Sequence, residues 1–267
     1  MKEQSLIVNY LVTPILAVAL ALVTGCGASD IANEPAVDQS MVGYTTVPLD
    51  ANKAVVRGKE AVLGNLVADA FVEYARENGY DVDFAIVNGG NLRFDPNVRA
   101  DGIYPAGEIT RENVSEILPF GNSGIILTIT GGELKKTLER SVHHLPLTPD
   151  EDGNGAFLHF SAGVQVVADL SRQPQVIDEL NQETEIVTPG ERIVSMTLNG
   201  DNLDLEANYL VLASSFIAGG GDGHLTLGQI EDSRRTDLGE DLVVALENYF
   251  RQNSPVTPIV ENRIIID

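Results

Sequence analysis

The chain has no tryptophan, a single cysteine and only 4 histidines among its 267 residues. A lone cysteine excludes an internal disulfide and leaves lipidation, a free thiol or dimerisation. The histidines are His143, His144, His159 and His224, and neither a His-x-His pair nor a Gly-Asn-His-Glu segment occurs. Two-metal hydrolysis needs clustered ligands to clamp an in-line displacement, so no metal site and no cofactor are expected in this chain. His143 and His144 fall in an expected helix, where adjacent positions face apart and chelate poorly. A P-loop and a repeat of solenoid length are also lacking. Basic residues are scarce: 17 Lys and Arg face 39 Asp and Glu, a net charge of -22. Such a field repels phosphate backbones and argues against a nucleic-acid polymer as partner. It still admits a small phosphorylated ligand where a local arginine pair overrides it.

What is present begins with an apolar run, Leu6 to Val23, broken only by Asn9, Tyr10, Thr13 and Pro14. Its length suits a signal-peptide core or a membrane helix. It ends at Val23-Thr-Gly-Cys26, and a cysteine behind small residues resembles the lipobox of bacterial lipoproteins. That resemblance implies lipidation at Cys26 and a place in the bacterial cell envelope, facing the periplasm. An uncleaved anchor and a misassigned start are the alternatives. The expected organisation is a lipoprotein-type signal or anchor over 1–26, a flexible tether over 27–42 and a folded domain over 43–267.

Within the domain, Leu63, Leu66, Val67, Ala70, Phe71 and Tyr74 recur at helical spacing, and Gly79 lies past the end as a stop. Short β-rich runs at Phe84 to Val87, Ile125 to Thr130, Val164 to Ala168, Arg192 to Leu198, Tyr209 to Ala213 and Arg263 to Ile266 predict strands. Gly131-Gly132 reads as a turn before a helix over Glu133 to His144, and Leu145 to Ala156 as an exposed loop. Thr110 caps a short helix over Arg111 to Ile117, and Asn199-Gly200 is a hairpin turn. Asp237-Leu-Gly-Glu240 resembles a capping box opening a last helix that runs to about Gln252. Strands and helices without strict alternation predict an α+β fold with a mixed sheet and packed helices.

Two glycine-rich turns follow strands: Asn88-Gly-Gly-Asn-Leu-Arg93, and Ser214-Ser-Phe-Ile-Ala-Gly-Gly-Gly-Asp-Gly-His224. Glycine lets a backbone take positive φ and approach a ligand. With Arg57-Gly-Lys-Glu-Ala-Val-Leu-Gly-Asn-Leu66, Leu118-Pro-Phe-Gly-Asn122 and Phe157-Leu-His-Phe-Ser-Ala-Gly-Val-Gln-Val166, they form five ordered motifs. In this order and spacing the chain resembles the C-terminal, substrate-binding domain of the 5'-nucleotidase and UDP-sugar hydrolase family, from about Gly43 to Asp267. In that family the Phe157–Val166 pattern is a central strand segment.

Arg57 and Arg93 are candidate oxyanion partners, because guanidinium forks bind phosphate bidentately. Phe120 and Phe216, on glycine-flanked loops, are candidates to stack on a planar base, although an isolated phenylalanine is more often core. The resemblance implies that the arginines hold the phosphate and ribose side and the two phenylalanines clamp the base. It further implies that Asn122 and Asp222 bond base and ribose, with Asn88 a polar pocket residue. Asn91, His159 and His224 depart from the family pattern, where a third glycine, a glutamine and an aromatic are common. The family's two metal ions belong to an N-terminal domain, expected here on a separate metallophosphatase chain. The expected ligand is a nucleoside or nucleoside 5'-phosphate. Two functions follow: the nucleotide-binding part of a 5'-nucleotidase-type hydrolase, or a cell-envelope lipoprotein that binds without cleaving.

Overall fold

Alternation along the strands decides how the layers stack. Phe84 and Ile86 of the strand Phe84–Asn88 enter one core, and Ala85 and Val87 enter the other. The strand Asn208–Ser214 repeats this, with Val211 and Ala213 on one side and Leu212 opposite. A sheet buried on both faces requires such near-continuous apolar runs. In the computed structural model, residues 40–178 and 185–267 are described, and they lie in one compact unit. The apolar leader, Cys26 and residues 27–39 of the expected tether lie outside the described residues.

The central sheet has five strands in the order Arg235–Asp241, Ser123–Thr130, Asn208–Ser214, Phe84–Asn88 and Leu158–Phe160. Only the pair Asn208–Ser214 and Phe84–Asn88 is parallel; the other three pairings are antiparallel. On one face lie the helices Val62–Glu77 and Val243–Asn253, whose Leu66, Phe71, Leu246 and Phe250 are buried. On the other lie the helix Gly131–Ser141 and a four-stranded sheet of Asp201–Asn202, Ile193–Leu198, Val164–Ala168 and Ile264–Ile266. Leu134, Leu138, Val166 and Met196 fill that second core. The fold is α+β with mixed sheets, as expected.

Local chemistry accounts for most element ends. The helix Val62–Glu77 buries the periodic stripe from Leu63 to Tyr74, and Gly79 beyond it takes φ +81°. Thr110 caps Arg111–Ile117 by accepting from the Asn113 amide, and Asn113 bonds back to the Thr110 amide. Asn199 and Gly200 take φ of 54° and 89°, the paired positive values of a two-residue hairpin.

Four local expectations are corrected. Gly131 and Gly132 begin the helix Gly131–Ser141 instead of preceding it. Thr130 caps that helix in a box with Glu133, and a Cβ on Gly131 would strike the Asp204 carbonyl, so glycine here serves close approach. This helix ends at Ser141, leaving His143 and His144 in the following turn with ring centroids 5.8 Å apart, not on opposite helix faces. Asp237 to Glu240 belongs to the strand Arg235–Asp241, pairing with Ser123–Thr130, and the last helix starts only at Val243. Phe157 to Val166 is not central: it leaves the edge strand Leu158–Phe160 and enters Val164–Ala168 of the second sheet.

Candidate functional site

The two parallel strands end side by side, and the residues just past both ends build the site. Ligand crevices in open sheets lie outside such carboxyl ends. After Asn88 the chain turns through the 3-10 segment Gly89–Asn91; after Ser214 it passes the short helix Ser215–Ala218 and the 3-10 segment Gly221–Gly223. The neighbouring strand Ser123–Thr130 runs antiparallel, so its start, with Asn122 and Phe120 just before it, reaches the same edge.

A cleft of about 400 Å³ opens there, lined by Gly90, Asn91, Arg93, Phe120, Asn122, Phe216 and Asp222. Phe71, Phe84, Phe157, Phe160 and Phe250 are buried in the cores, whereas Phe120 is 54% exposed and Phe216 46% exposed. The two cleft phenylalanines therefore present apolar rings to whatever enters. Asn122 Nδ2 donates to Asn91 Oδ1 at 3.1 Å, a side-chain pair built from the residue that replaces the common third glycine.

Arg93 brings cationic charge to the wall. Its Cζ lies 5.0 Å from the centroid of the Phe120 ring, and Nη1 donates to the Leu92 carbonyl at 3.0 Å. Burial lowers the Arg93 pKa, the charge of Arg57 lowers it further, and Asp222 partly opposes both. A guanidinium disfavoured by burial and by a like-charged neighbour is relieved by a bound anion. Arg57 does not line the cleft; it stands beside it, with Nη1 donating to the Gly153 carbonyl at 3.2 Å. Its buried Nε has no hydrogen-bond partner. A Cβ on Gly89 would strike the Val56 carbonyl, so only glycine lets the Arg57 segment come this close.

Asp222 is held in an uncommon conformation, with φ 53° and ψ 22°. Its Oδ2 accepts from Asn88 Nδ2 at 2.7 Å. Asn88 is fully buried behind the wall, and its own Oδ1 has no partner. The structure thus brings Arg93, Phe120, Asn122, Phe216 and Asp222 together in the wall, with Asn88 and Arg57 supporting from outside it. Sequence reasoning named Asn91 only as a departure and missed Arg140, whose Nε donates to the Asp222 carbonyl at 2.9 Å. No local signal marks Arg140, because it lies 82 positions away on another layer.

Histidine contributes structure. His159 Nε2 lies 2.8 Å from the Val56 carbonyl and His224 Nε2 lies 3.0 Å from that of Ala156. Burial brings His159 down to about 4 and His224 to about 3, so both are neutral near pH 7 with the Nε2 proton donated. Only Nε2 of the His224 ring is engaged, by the Ala156 carbonyl; its buried Nδ1 has no hydrogen-bond partner. Among the described residues no three His, Cys, Asp or Glu side chains form a group that could hold a metal ion.

Comparison with known proteins shows what the chain is similar to. Residues 41–229 match the family described as 5'-nucleotidase, C-terminal domain. The chain is 34% identical over 238 residues to a snake venom 5'-nucleotidase of Gloydius brevicauda, covering 84% of this chain and 36% of that protein. It is 32% identical over 234 residues to the trifunctional nucleotide phosphoesterase protein YfkN of Bacillus subtilis, covering 85% of this chain and 14% of that one. The crystal structure of a 5'-nucleotidase precursor from Thermus thermophilus superposes with a TM-score of 0.69 at 31% identity, covering 85% of this chain and 39% of that chain. The chain therefore spans well under half the length of these relatives.

Proposed function

This chain belongs to the 5'-nucleotidase C-terminal domain family, and from that premise we propose that its cleft binds nucleosides and nucleoside 5'-phosphates for a 5'-nucleotidase-type hydrolase. The observation that carries the reading is the pair of half-exposed phenylalanines, Phe120 and Phe216, on one cleft that also presents Arg93, Asn122 and Asp222. A base between the two rings gains stacking of about 1–3 kcal/mol per contact, judged from single-strand nucleic-acid systems. Asn122 bonds the base edge, Asp222 accepts from ribose hydroxyls, and Arg93 with Arg57 attracts the phosphate. Asn88 keeps the Asp222 carboxylate in place.

The described residues do not fit the family's metal pair, because no donor group of the required size comes together among them. No bond-breaking step is assigned to them. In this reading they select and present the nucleotide, and a separate metallophosphatase chain supplies the metal ions. A second reading of the same cleft is a cell-envelope lipoprotein that binds nucleosides without cleaving them. Anchoring through a lipid on Cys26 is common to both.

Calorimetric titration of the full chain with adenosine and AMP tests the binding claim. Saturable binding of both is expected, and absence of binding overturns it. Phosphate release from AMP with divalent metal, assayed with and without a co-purified metallophosphatase chain, separates the two readings. Release only with the partner supports the hydrolase, and no release in either case supports the binder.

A further inference from the structure

The glycine-rich loop that carries Asp222 is poorly suited to holding a carboxylate still. Gly219, Gly220, Gly221 and Gly223 surround it, Gly220 and Gly223 take φ of 95° and 77°, and Asp222 itself takes 53°. Glycines add backbone freedom, and a non-glycine residue persists at positive φ only where its surroundings hold it there. The side chain is held from the sheet by Asn88. The backbone is held from the opposite layer: Arg140, 4% exposed near the end of the helix Gly131–Ser141, donates from Nε to the Asp222 carbonyl at 2.9 Å.

The fit between this arginine and the loop is specific. A Cβ at Gly223 would lie 2.5 Å from Arg140 Nη2 and 2.6 Å from its Cζ, so the residue after Asp222 must lack a side chain. Gly223 thus serves the loop's positive φ and the approach of the guanidinium together. The helix supplying Arg140 is itself secured beyond its end, where Arg192 Nη1 donates to the carbonyls of Val142 at 2.8 Å and Leu145 at 2.7 Å. Glu139, next to Arg140, accepts from the amides of Arg192 and Ile193, both at 2.9 Å. A rigid part of the second core therefore reaches across to a loop of the cleft.

We propose that Arg140 is a positioning residue of the cleft: it fixes the turn at Asp222 and thereby sets selectivity for ligands that offer hydroxyls to the Asp222 carboxylate. This rests on the nucleotide reading of the same cleft. Without the guanidinium contact the Asp222 peptide is free to rotate toward ordinary φ values, which swings the carboxylate off Asn88 and away from its place in the wall. Of the two clamp rings, Phe120 lies on another loop beside Arg93, whereas Phe216 packs against Gly221 next to Asp222 and shifts with it to a lesser degree than the carboxylate.

The test compares adenosine with 2',3'-dideoxyadenosine, which keeps the base and lacks the hydroxyls. Affinities are measured by calorimetry on the full chain. The unsubstituted protein is expected to prefer adenosine, and Arg140→Gln to reduce that preference by about tenfold, the scale of a charged hydrogen bond. Dideoxyadenosine affinity should fall much less than adenosine affinity. Gly223→Ala drives a methyl group into the guanidinium and should reduce the preference likewise, providing a second route if Arg140→Gln does not fold. Equal loss for both ligands, or an unchanged preference in a folded variant, overturns the positioning role while leaving the nucleotide reading intact. If the unsubstituted chain binds neither ligand, both fall together.

Discussion

Asn88 and Asp222, 134 positions apart, are joined by a 2.7 Å hydrogen bond from Asn88 Nδ2 to Asp222 Oδ2. The bond ties the turn after the strand Phe84–Asn88 to the loop after the strand Asn208–Ser214, closing the cleft across the parallel pair. Asn88→Ala removes the donor and should weaken adenosine binding by about 1 kcal/mol or more. Asn88→Asp sets a second carboxylate against the first and should weaken it further. Calorimetry on both variants checks the order; equal affinities for the two would show that the bond does not orient Asp222.

Phe216 distinguishes a ligand surface from a core position. A buried phenylalanine cut to alanine typically loses about 3–5 kcal/mol of stability. Phe216 is 46% exposed, so Phe216→Ala should leave the melting temperature nearly unaltered while nucleoside affinity falls by about 1–3 kcal/mol. A large drop in melting temperature with full affinity in the folded fraction would assign the ring to the core.

Arg93 should discriminate by charge. Its neighbour Arg57 disfavours its cationic form, and a phosphate relieves that repulsion. Arg93→Ala is expected to weaken AMP by about 1.5–3 kcal/mol and adenosine much less. Parallel titrations read this directly, and equal losses for the two ligands would make the arginine structural.

Acid should destabilise the fold through its buried histidines. Burial holds His159 at about 4 and His224 at about 3, below the ordinary 6.5. Between those values the unfolded chain binds protons that the folded chain refuses. The stability contribution is therefore intact above about pH 6.5 and is lost as pH falls toward the folded values, at up to about 1.4 kcal/mol per unit for each histidine. The melting temperature should fall from pH 7 to pH 5, and His224→Gln should flatten the slope. A melting temperature indifferent to pH over that range would contradict the assignment.

Cys26 carries the envelope proposal. Cys26→Ser should move the protein from the membrane fraction to the soluble fraction, followed by fractionation and immunoblotting. Unchanged partitioning with an unprocessed leader would exclude lipidation there.

The amino-acid sequence alone determined the features that depend on neighbours in the chain. The stripe from Leu63 to Tyr74, the Thr110 cap and the Asn199-Gly200 turn follow from periodicity, a short hydroxyl side chain and positive φ, and each appears where expected. The order of the five motifs made the family legible, since residues 41–229 match it. Local rules misled where a distant neighbour set the conformation. Gly131 reads as a turn residue because the Asp204 carbonyl that demands a glycine there is invisible in the sequence. Asp237 to Glu240 carries a capping pattern, yet the open edge of Ser123–Thr130 claims it as a strand. Only the tertiary structure brought the turn after Asn88, the loop after Ser214 and the start of Ser123–Thr130 to one edge. It alone paired Asn91 with Asn122 and set Arg140 on the Asp222 carbonyl, because each contact depends on how sheets and helices pack and not on spacing along the chain.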